Sequence, residues 1–202
     1  MKLNRIEFIA MNNPIRAAIQ DHYELPMLRR MITVDMIDRA MEIGCGNGHG
    51  TKLIKKYFNP RSIVGIDIDE RMIRLAKRKN NDPSISFLVM DAAKLNFPDK
   101  YFDAIFDFGV MHHIRDWRGC LRELKRVLKD GGKIIMEDLS SDTFKTYPGR
   151  IMKLLSDHPY ADMYSTADFL SYMTSIGFEA INYKVSNPIG LIKFFSLTAK
   201  PK

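Results

Sequence analysis

Apolar residues between positions 39 and 139 occur in short runs that alternate with amphipathic stretches. The runs of strand length lie near 39–43, 62–66, 85–89, 102–107 and 133–138. The stretches with helical spacing lie near 51–58, 70–79 and 117–129. Strands that alternate with helices in this way predict an α/β fold with a parallel sheet and helices on both faces. Asp69 and Asp116 stand where helix N-caps are expected, and Gly131-Gly132 where the third helix should end.

The segments on either side of this region have a different pattern. Residues 1–38 lack sheet-like alternation, and Asn13-Pro14 is typical of a helix start, so a helical cap segment is expected ahead of a domain over 39–202. Packing against the sheet edge and a lid over the site remain alternatives for this cap. Residues 140–165 interrupt the alternation of strands and helices and form an insert. The aromatic and methionine side chains of this insert favour core packing over a substrate pocket. A helix from Ser165 or Thr166 and two strands near 179–186 and 191–199 complete the chain.

Glycine recurs at alternate positions where the first strand meets the first helix of this region, at Gly44, Gly46 and Gly48. Glycine allows a strand to turn abruptly into a helix while its backbone N–H groups approach a ligand closely. The turn therefore predicts a nucleotide-type ligand, although a tight turn without any ligand is the alternative interpretation.

Two acidic residues narrow the ligand class. Glu42 lies at the carboxyl end of the first strand, where a carboxylate repels phosphate and favours an ammonium or sulfonium group. Asp67 ends the second strand, 19 residues after Gly48, a spacing that suits a carboxylate accepting from both ribose hydroxyls. Together they indicate an adenosine ligand without a pyrophosphate.

A series of motifs then follows in a familiar order. After Glu42-Ile-Gly-Cys-Gly-Asn-Gly come Val64-Gly-Ile-Asp67, Phe87-Leu-Val-Met-Asp91-Ala92, Phe102-Asp103-Ala-Ile-Phe and Leu128-Lys-Asp-Gly131-Gly132-Lys. This series, over about half of the chain, resembles the class I S-adenosylmethionine (SAM)-dependent methyltransferases, and in particular the type 11 and ubiquinone–menaquinone methyltransferases. The resemblance implies a Rossmann-like, doubly wound sheet of seven mostly parallel strands with an antiparallel last strand. It also implies SAM as the cofactor and S-adenosylhomocysteine as the product.

The resemblance assigns cofactor contacts residue by residue. Glu42 and the turn formed by Gly44, Cys45, Gly46 and Gly48 would hold the methionine moiety. Asp67 would bind the ribose, and Ile68 would flank the adenine. Asp91 would accept from the adenine amino group while the backbone of Ala92 reads the ring edge. The remaining cofactor contacts implied by the family are Met72 and Phe108.

The acceptor side of the site is less defined. His112 and His113 follow the fourth strand, where ligand sites of open parallel sheets gather, and either could act as a general base. A purely structural pair is the equal alternative, because an acceptor that is already an anion or a free amine needs no base. Tyr23, Met111 and Asp138 are candidate substrate contacts. No metal site is expected, because adjacent histidines rarely aim at one ion and no third ligand is evident.

Composition adds few constraints. Hydrophobic residues make up 46% and charged residues 27%, as in ordinary globular proteins, and two cysteines are too few for a disulfide framework. The absence of a long apolar run or a secretory signal predicts a cytoplasmic protein without a transmembrane helix. The net charge of +7 is compatible with RNA or an anionic membrane surface, but the basic run between Arg71 and Lys79 is expected to be a solvated helix face.

These observations predict an enzyme that transfers a methyl group from SAM to O, N or C of a small organic acceptor by in-line displacement. An RNA or protein methyltransferase is the alternative suggested by the charge alone, which leaves a nucleic-acid partner disfavoured but open. A non-catalytic SAM-binding regulatory protein is a further alternative, and a nicotinamide oxidoreductase is the least favoured. The sequence indicates neither the acceptor nor the oligomeric state.

Overall fold

A computed structural model describes residues 12–13, 17–18, 20–31, 36–145, 150, 162–186 and 193–202 of the chain. Its core is one seven-stranded sheet in the order β3-β2-β1-β4-β5-β7-β6. The strands are β1 (Arg39–Ile43), β2 (Ser62–Asp67), β3 (Ile85–Val89), β4 (Phe102–Phe108), β5 (Leu128–Leu139), β6 (Phe178–Ser186) and β7 (Phe194–Pro201). Only β7 runs antiparallel to its neighbours, β5 and β6. This topology confirms the predicted Rossmann-like sheet.

Helices cover both faces of the sheet. They are α1 (Leu25–Met31), α2 (His49–Phe58), α3 (Glu70–Lys79), α4 (Trp117–Val127) and α5 (Thr166–Ser175). Leu28 of α1 and Ile54 of α2 pack on one face against Ala40, Ile63 and Phe106. The helices α4 and α5 pack on the other face in a second apolar cluster. Among the described residues, none of the helices combines the length and apolar character needed to span a membrane.

Helix α3 lies on the same face as α2. Its buried residues Ile73 and Ala76 pack against Cys45 and against Phe87 of β3. A side chain at Gly65, which pairs with Phe87 and shares the face of Ile63, would press on the Cys45 and Phe87 side chains. The absence of a Cβ at Gly65 therefore lets the glycine turn pack directly onto β2.

The helix caps follow the sequence prediction. The Asp69 side chain accepts from the Arg71 backbone N–H, the Asp116 side chain from Gly119, and the Ser165 hydroxyl from Asp168. Each cap satisfies one of the N–H groups that a helix start leaves without a partner.

Some element boundaries differ from the predicted ones. Helix α4 ends at Val127, two residues before the predicted end, because Leu128 already pairs with Phe102 of β4. The pairing shifts register before it resumes at Lys133, and Gly131 adopts a positive φ of 76° within this irregular stretch. The two glycines therefore lie inside β5 and do not end the helix.

The N-terminal segment is helical where it is described. A π-helical turn over Gln20–Glu24 continues directly into α1, so the two form one helical stretch. Leu25 and Leu28 are fully buried against the sheet face that α2 also covers. The side chain of Tyr23 lies outside the described residues. Helix α1 therefore packs against a face of the sheet and not against its edge, and the role of the cap as a lid remains a prediction.

The insert is described at its two ends. A 3₁₀ turn over Ser141–Lys145 follows β5, whereas most of the insert, including Tyr147 and Tyr160, lies outside the described residues. Tyr164 is buried, with its ring 4.5 Å from that of Phe169 and 5.2 Å from that of Trp117. This part of the insert belongs to the core, as the sequence favoured.

Candidate functional site

A cavity of about 500 Å³ opens at the carboxyl ends of the parallel strands, between the loops that follow β1, β2, β3 and β4. Open parallel sheets bind their ligands at this edge, where neighbouring loops diverge. The residues that line it are Gly44, Gly46, Ile66, Asp67, Ile68, Met72, Met90, Asp91, Ala92, Ala93, Phe108, Gly109, Val110, His113, Ile114, Arg115 and Asp116.

The glycine turn forms one wall of this cavity. Gly44, Gly46 and Gly48 all have positive φ values, of 60°, 53° and 81°, which side chains other than glycine adopt at a cost. A Cβ at Gly44 would overlap Val110 on the opposite wall, whereas a Cβ at Gly46 would meet no atom within 4 Å. The chain therefore passes close to the cavity at Gly44 and leaves open space at Gly46.

Asp67 holds this turn in place from β2. Its Oδ2 accepts from the Gly46 backbone N–H at 3.0 Å, and its Oδ1 accepts from the Asp69 N–H at 2.8 Å. Burial raises the pKa of Asp67, while these two N–H groups act in the opposite direction. The carboxylate is thus fixed by two backbone amides and lines the cavity.

Asp91 is a second acid of the cavity wall, and it lies in an exposed position after β3. Its Oδ1 accepts from the Ala93 N–H at 2.9 Å, which orders the loop between Met90 and Ala93. Ile68, Met72 and Phe108 also line the cavity, so it combines apolar surface with carboxylates at two neighbouring strand ends.

Glu42 lies behind the glycine turn and does not line the cavity. Its side chain is buried, accepts from the Thr51 hydroxyl of α2, and occupies the space that a Cβ at Gly50 would need. Burial raises the pKa of Glu42 to about 8; the Thr51 hydroxyl opposes this rise, while Asp67 and Asp107 add to it. Glu42 therefore ties β1 to α2, and it can act on a ligand in the cavity only through the turn.

The two histidines occupy different environments. His113 lines the cavity, and its Nδ1 is buried, whereas His112 turns away into the protein. The His112 Nδ1 pairs with the Asp138 carboxylate, and the His112 backbone N–H donates to Asp138 Oδ2 at 3.1 Å. The two imidazole rings lie 4.1 Å apart. His113 is therefore the histidine available to a ligand.

Asp138 is the centre of a buried polar network. It also accepts from the Tyr164 hydroxyl at 3.0 Å and from the Leu139 N–H at 2.6 Å. Its carboxyl group contacts that of Asp107 on β4, whose Oδ1 accepts from the Val110 N–H at 2.9 Å. Burial raises the pKa of both acids, and the neighbouring Asp138 charge places that of Asp107 well above its ordinary range. The two acids therefore belong to one buried network, in which Asp107 holds the β4 loop through the Val110 N–H and Asp138 holds His112 and Tyr164.

Several residues predicted for the site do not reach the cavity wall. Cys45 is buried beneath the turn and Met111 is fully buried in the core, because the turn and the 3₁₀ helix Met111–His113 direct them inward. The Asp138 side chain is fully buried and pairs with His112, so it does not reach the cavity wall. The carbonyl of Cys45 accepts from the Gly48 N–H at 2.9 Å, so Gly48 closes the turn without lining the cavity.

The structure adds residues that the sequence reasoning missed. Val110, Ile114 and Arg115 line the cavity, and Asp107 and Tyr164 complete the network around Asp138. In the stretch after β4 the sequence pointed to Phe108, Met111 and the two histidines, although the neighbouring residues occupy the same strand-end position. Tyr164 lies 26 residues from Asp138, and no local spacing links them.

Comparisons with known proteins agree with this geometry. A family model described as a methyltransferase domain matches residues 41–136, from β1 into β5. The chain is 34% identical over 100 residues to a fatty-acid O-methyltransferase of Mycolicibacterium smegmatis, an alignment that covers 50% of this chain and 36% of that protein. It is 29% identical over 137 residues to a demethylmenaquinone methyltransferase of Thermotoga maritima, covering 67% of this chain and 59% of that one. The chain thus spans between about a third and three-fifths of the length of these relatives.

The fold comparison extends over most of the chain. A SAM-dependent methyltransferase from Mesorhizobium loti superposes with a TM-score of 0.73 at 17% identity, covering 90% of this chain and 99% of that one. Residues 41–136 thus match a methyltransferase domain, and the sheet as a whole has the fold of SAM-dependent methyltransferases. The cofactor that these similarities indicate is SAM.

The cavity of the methyltransferase fits that cofactor. The glycine turn leaves space at Gly46 that a ligand can approach, and the carboxylates of Asp67 and Asp91 are acceptors on adjoining walls. Burial favours the protonated forms of Glu42 and Asp107 behind the wall; a cationic ligand would lower these two pKa values, whereas a phosphate-bearing ligand would raise them further.

The raised pKa of Glu42 predicts a pH-dependent stability. The folded state keeps the proton up to about pH 8, whereas the unfolded chain releases it near pH 4.5, so the free energy of unfolding should fall between these values. Glu42→Gln removes this titration. The free energy of unfolding of the variant minus that of the original protein should therefore increase between pH 4.5 and pH 8, by on the order of 3–5 kcal/mol.

Urea unfolding at a series of pH values measures this difference. Glu179→Gln, at an exposed position on β6, is the matched control and should show a difference that does not change with pH. Parallel stability profiles for Glu42→Gln and the original protein would show that burial does not hold a proton on Glu42.

Proposed function

We propose that this methyltransferase transfers the methyl group of SAM to O, N or C of a small organic acceptor with a lipid-like apolar body. The main observation behind the proposal is that the glycine turn, Asp67, Asp91 and His113 line the same cavity. These residues combine a place for the cofactor with a histidine on the loop after β4.

The cofactor-holding roles are assigned from the acceptors on the wall. Asp67 would accept from the ribose hydroxyls, because its carboxylate is already oriented by the N–H groups of Gly46 and Asp69. Asp91 would accept from the adenine amino group beside Ala92, while Ile68 and Met72 provide apolar surface for the ring. Glu42 would act indirectly, by holding Thr51 and the turn in place.

SAM, when bound, supplies an electrophilic methyl group on a positively charged sulfur. The protein's contribution is then to align the acceptor and exclude water, and positioning of this kind can lower a barrier by roughly 7–11 kcal/mol. Phe108, Gly109 and Val110 form the wall next to the turn and leave little room for solvent beside Gly44. The Asp107–Asp138 pair fixes this wall through the Val110 N–H.

His113 would take a proton from an acceptor that carries one. It lines the cavity, and its side chain is half-buried there. His112 supports it from behind, because Asp138 holds the His112 ring in place and the two rings lie 4.1 Å apart.

The apolar character of the acceptor is inferred from the cavity and the relatives. Ile66, Ile114, Met90 and Val110 line the cavity together with Phe108, and they offer a long apolar chain or ring a surface without hydrogen-bonding demands. The relatives carry the names of a fatty-acid and of a demethylmenaquinone methyltransferase. Both names denote acceptors with large apolar bodies.

Transfer of radiolabelled methyl from SAM tests the proposal. The panel should contain saturated fatty acids of several chain lengths, a demethylated quinol with a short side chain, simple phenols and amines, bulk tRNA and a mixture of unfolded proteins. Label in an apolar acceptor is the expected result. Label only in tRNA or protein would overturn the proposal, and SAM binding without transfer to any acceptor would favour a regulatory protein.

The role of Asp67 predicts an affinity loss in one variant. Asp67→Asn replaces an acceptor oxygen with a donor and should weaken SAM binding by about 10- to 150-fold, which corresponds to about 1.5–3 kcal/mol for charged hydrogen bonds. Calorimetric titration with SAM measures the change. Asp130→Asn, at an exposed position in the irregular part of β5, should bind as the original protein does. An Asp67→Asn protein that is folded and keeps full affinity would refute the assignment.

The role of His113 predicts a loss that depends on the acceptor. His113→Gln should lower kcat by about 10²- to 10⁴-fold for a phenol or alcohol, which must lose a proton. The same variant should change kcat little for a carboxylate acceptor, which is already an anion. Equal losses on both acceptor types would show that His113 positions the substrate and does not act as a base.

A further inference from the structure

The positive charge of this chain is concentrated in one region. Residues 49–80 contain nine Lys and Arg against three Asp and Glu, whereas the rest of the chain contains 22 against 21. The stretch that forms α2, β2 and α3 therefore has a net charge of +6, out of +7 for the whole chain. Ordinary solvated surfaces intersperse both signs, because adjacent like charges repel one another.

The fold brings this charge together on one face. The α2 and α3 helices lie side by side, with the Lys52 ammonium of α2 donating to the Lys79 carbonyl at the end of α3. The apolar residues Leu53 and Ile54 of α2 are buried, as are Ile73 and Ala76 of α3, so the lysines and arginines point outward.

Few acids neutralise these side chains. Asp69 pairs with Arg71 and Glu70 with Arg74, both at the cavity end of α3, and the third acid, Asp67, lies in the cavity wall. In the described part of the chain no carboxylate lies within ion-pair distance of a remaining group of exposed cations. We name this group the cationic face, and it consists of Lys52, Lys56, Lys77, Arg78 and Lys79.

Helix stability alone does not account for the cationic face. One or two cations in a last turn suffice to complement the partial negative charge of a helix C-terminus. Lys52 stands in the first half of α2, and Lys77, Arg78 and Lys79 are three consecutive positions. Their mutual repulsion gives the fold no benefit, whereas a polyanionic partner would offset it.

We propose that the cationic face binds the surface of an anionic lipid bilayer. This inference rests on the proposed function, because an enzyme with a lipid-like acceptor must reach substrate that resides in a membrane. Each Lys or Arg close to an anionic leaflet adds a favourable contribution that falls off within the Debye length. Reversible adsorption of this kind needs neither a membrane-spanning helix nor an inserted side chain.

The surface chemistry favours a bilayer over a nucleic acid. Single-stranded RNA is held by basic grooves with aromatic rings on which bases stack. The aromatic residues of α2, Tyr57 and Phe58, are half-buried, and Phe58 packs against Phe106 at 4.9 Å. Helix α3 contains no aromatic residue. The cationic face therefore offers charge on two convex helices and no stacking platform.

Vesicle co-sedimentation tests this inference with two variants of equal net charge. The first is Lys77→Glu/Arg78→Glu/Lys79→Glu, and the control is Lys184→Glu/Lys193→Glu/Lys202→Glu, at exposed positions outside the cationic face. Vesicles of phosphatidylcholine with 30% phosphatidylglycerol are compared with phosphatidylcholine alone, at about 50 and 300 mM NaCl. Circular dichroism checks that each variant is folded.

We expect the original protein to bind the anionic vesicles at low salt, and to bind them at least tenfold more weakly at high salt or without phosphatidylglycerol. The first variant should bind at least tenfold more weakly at low salt, whereas the control should lose much less. Equal losses in both variants would overturn the inference, because binding would then follow net charge alone. Absence of vesicle binding, with tight salt-dependent binding of tRNA instead, would overturn it in favour of a nucleic-acid surface.

A parallel measurement separates this test from that of the proposed function. Methyl transfer to a water-soluble short-chain acceptor should be unchanged in both variants, because neither set of residues lies in the cavity. Vesicle binding without any methyl transfer would leave the cationic face supported and the proposed function refuted.

Discussion

The structure depends on one constraint, the abrupt turn from β1 into α2. Three glycines with positive φ values make this turn, and the Gly46 N–H is held by the Asp67 carboxylate at the end of β2. The turn packs onto β2 only because Gly65 has no side chain, and α2 packs onto β1 only because Gly50 leaves space for Glu42. Backbone conformation, packing and the shape of the cavity are therefore set by the same few positions.

The acids at the strand ends give this site its electrostatic character. Glu42, Asp67 and Asp107 lie at the carboxyl ends of three neighbouring strands, and burial raises the pKa of each. Such a cluster is costly for an isolated protein, because carboxylates without a counter-charge are poorly solvated there. It suits a ligand that brings a positive charge of its own, and it disfavours a pyrophosphate. This preference separates the site from that of nicotinamide-binding enzymes that share its topology.

The sequence was most informative where local chemistry determines structure. Asp69 and Asp116 cap their helices as expected, because a cap needs only a short polar side chain beside a helix start. The glycine turn and Asp67 were recognisable for a similar reason, since a strand, a turn and a helix fix their relative positions. Leu128 was misjudged because its pairing with Phe102 of β4 outweighed the helical pattern of the preceding residues.

The network behind the cavity was beyond local reasoning. Asp138 meets Asp107 because β4 and β5 pair with Asp107 opposite Met136, two residues before Asp138 on the same face of the sheet. Tyr164 joins from the segment before α5. Asp138 was expected at the substrate, yet its full burial and its bond to His112 give it a supporting position. The direction of these side chains follows from the register in which the strands pair, and this register cannot be read from the sequence.

Calorimetric titration of the unmodified protein with SAM, S-adenosylhomocysteine and NAD at neutral pH tests the central claim most directly. The arrangement of the turn and the acids predicts one binding site for SAM, occupied also by S-adenosylhomocysteine, and no heat of binding for NAD at the same concentrations. Binding of NAD without binding of either adenosyl sulfur compound would contradict the account.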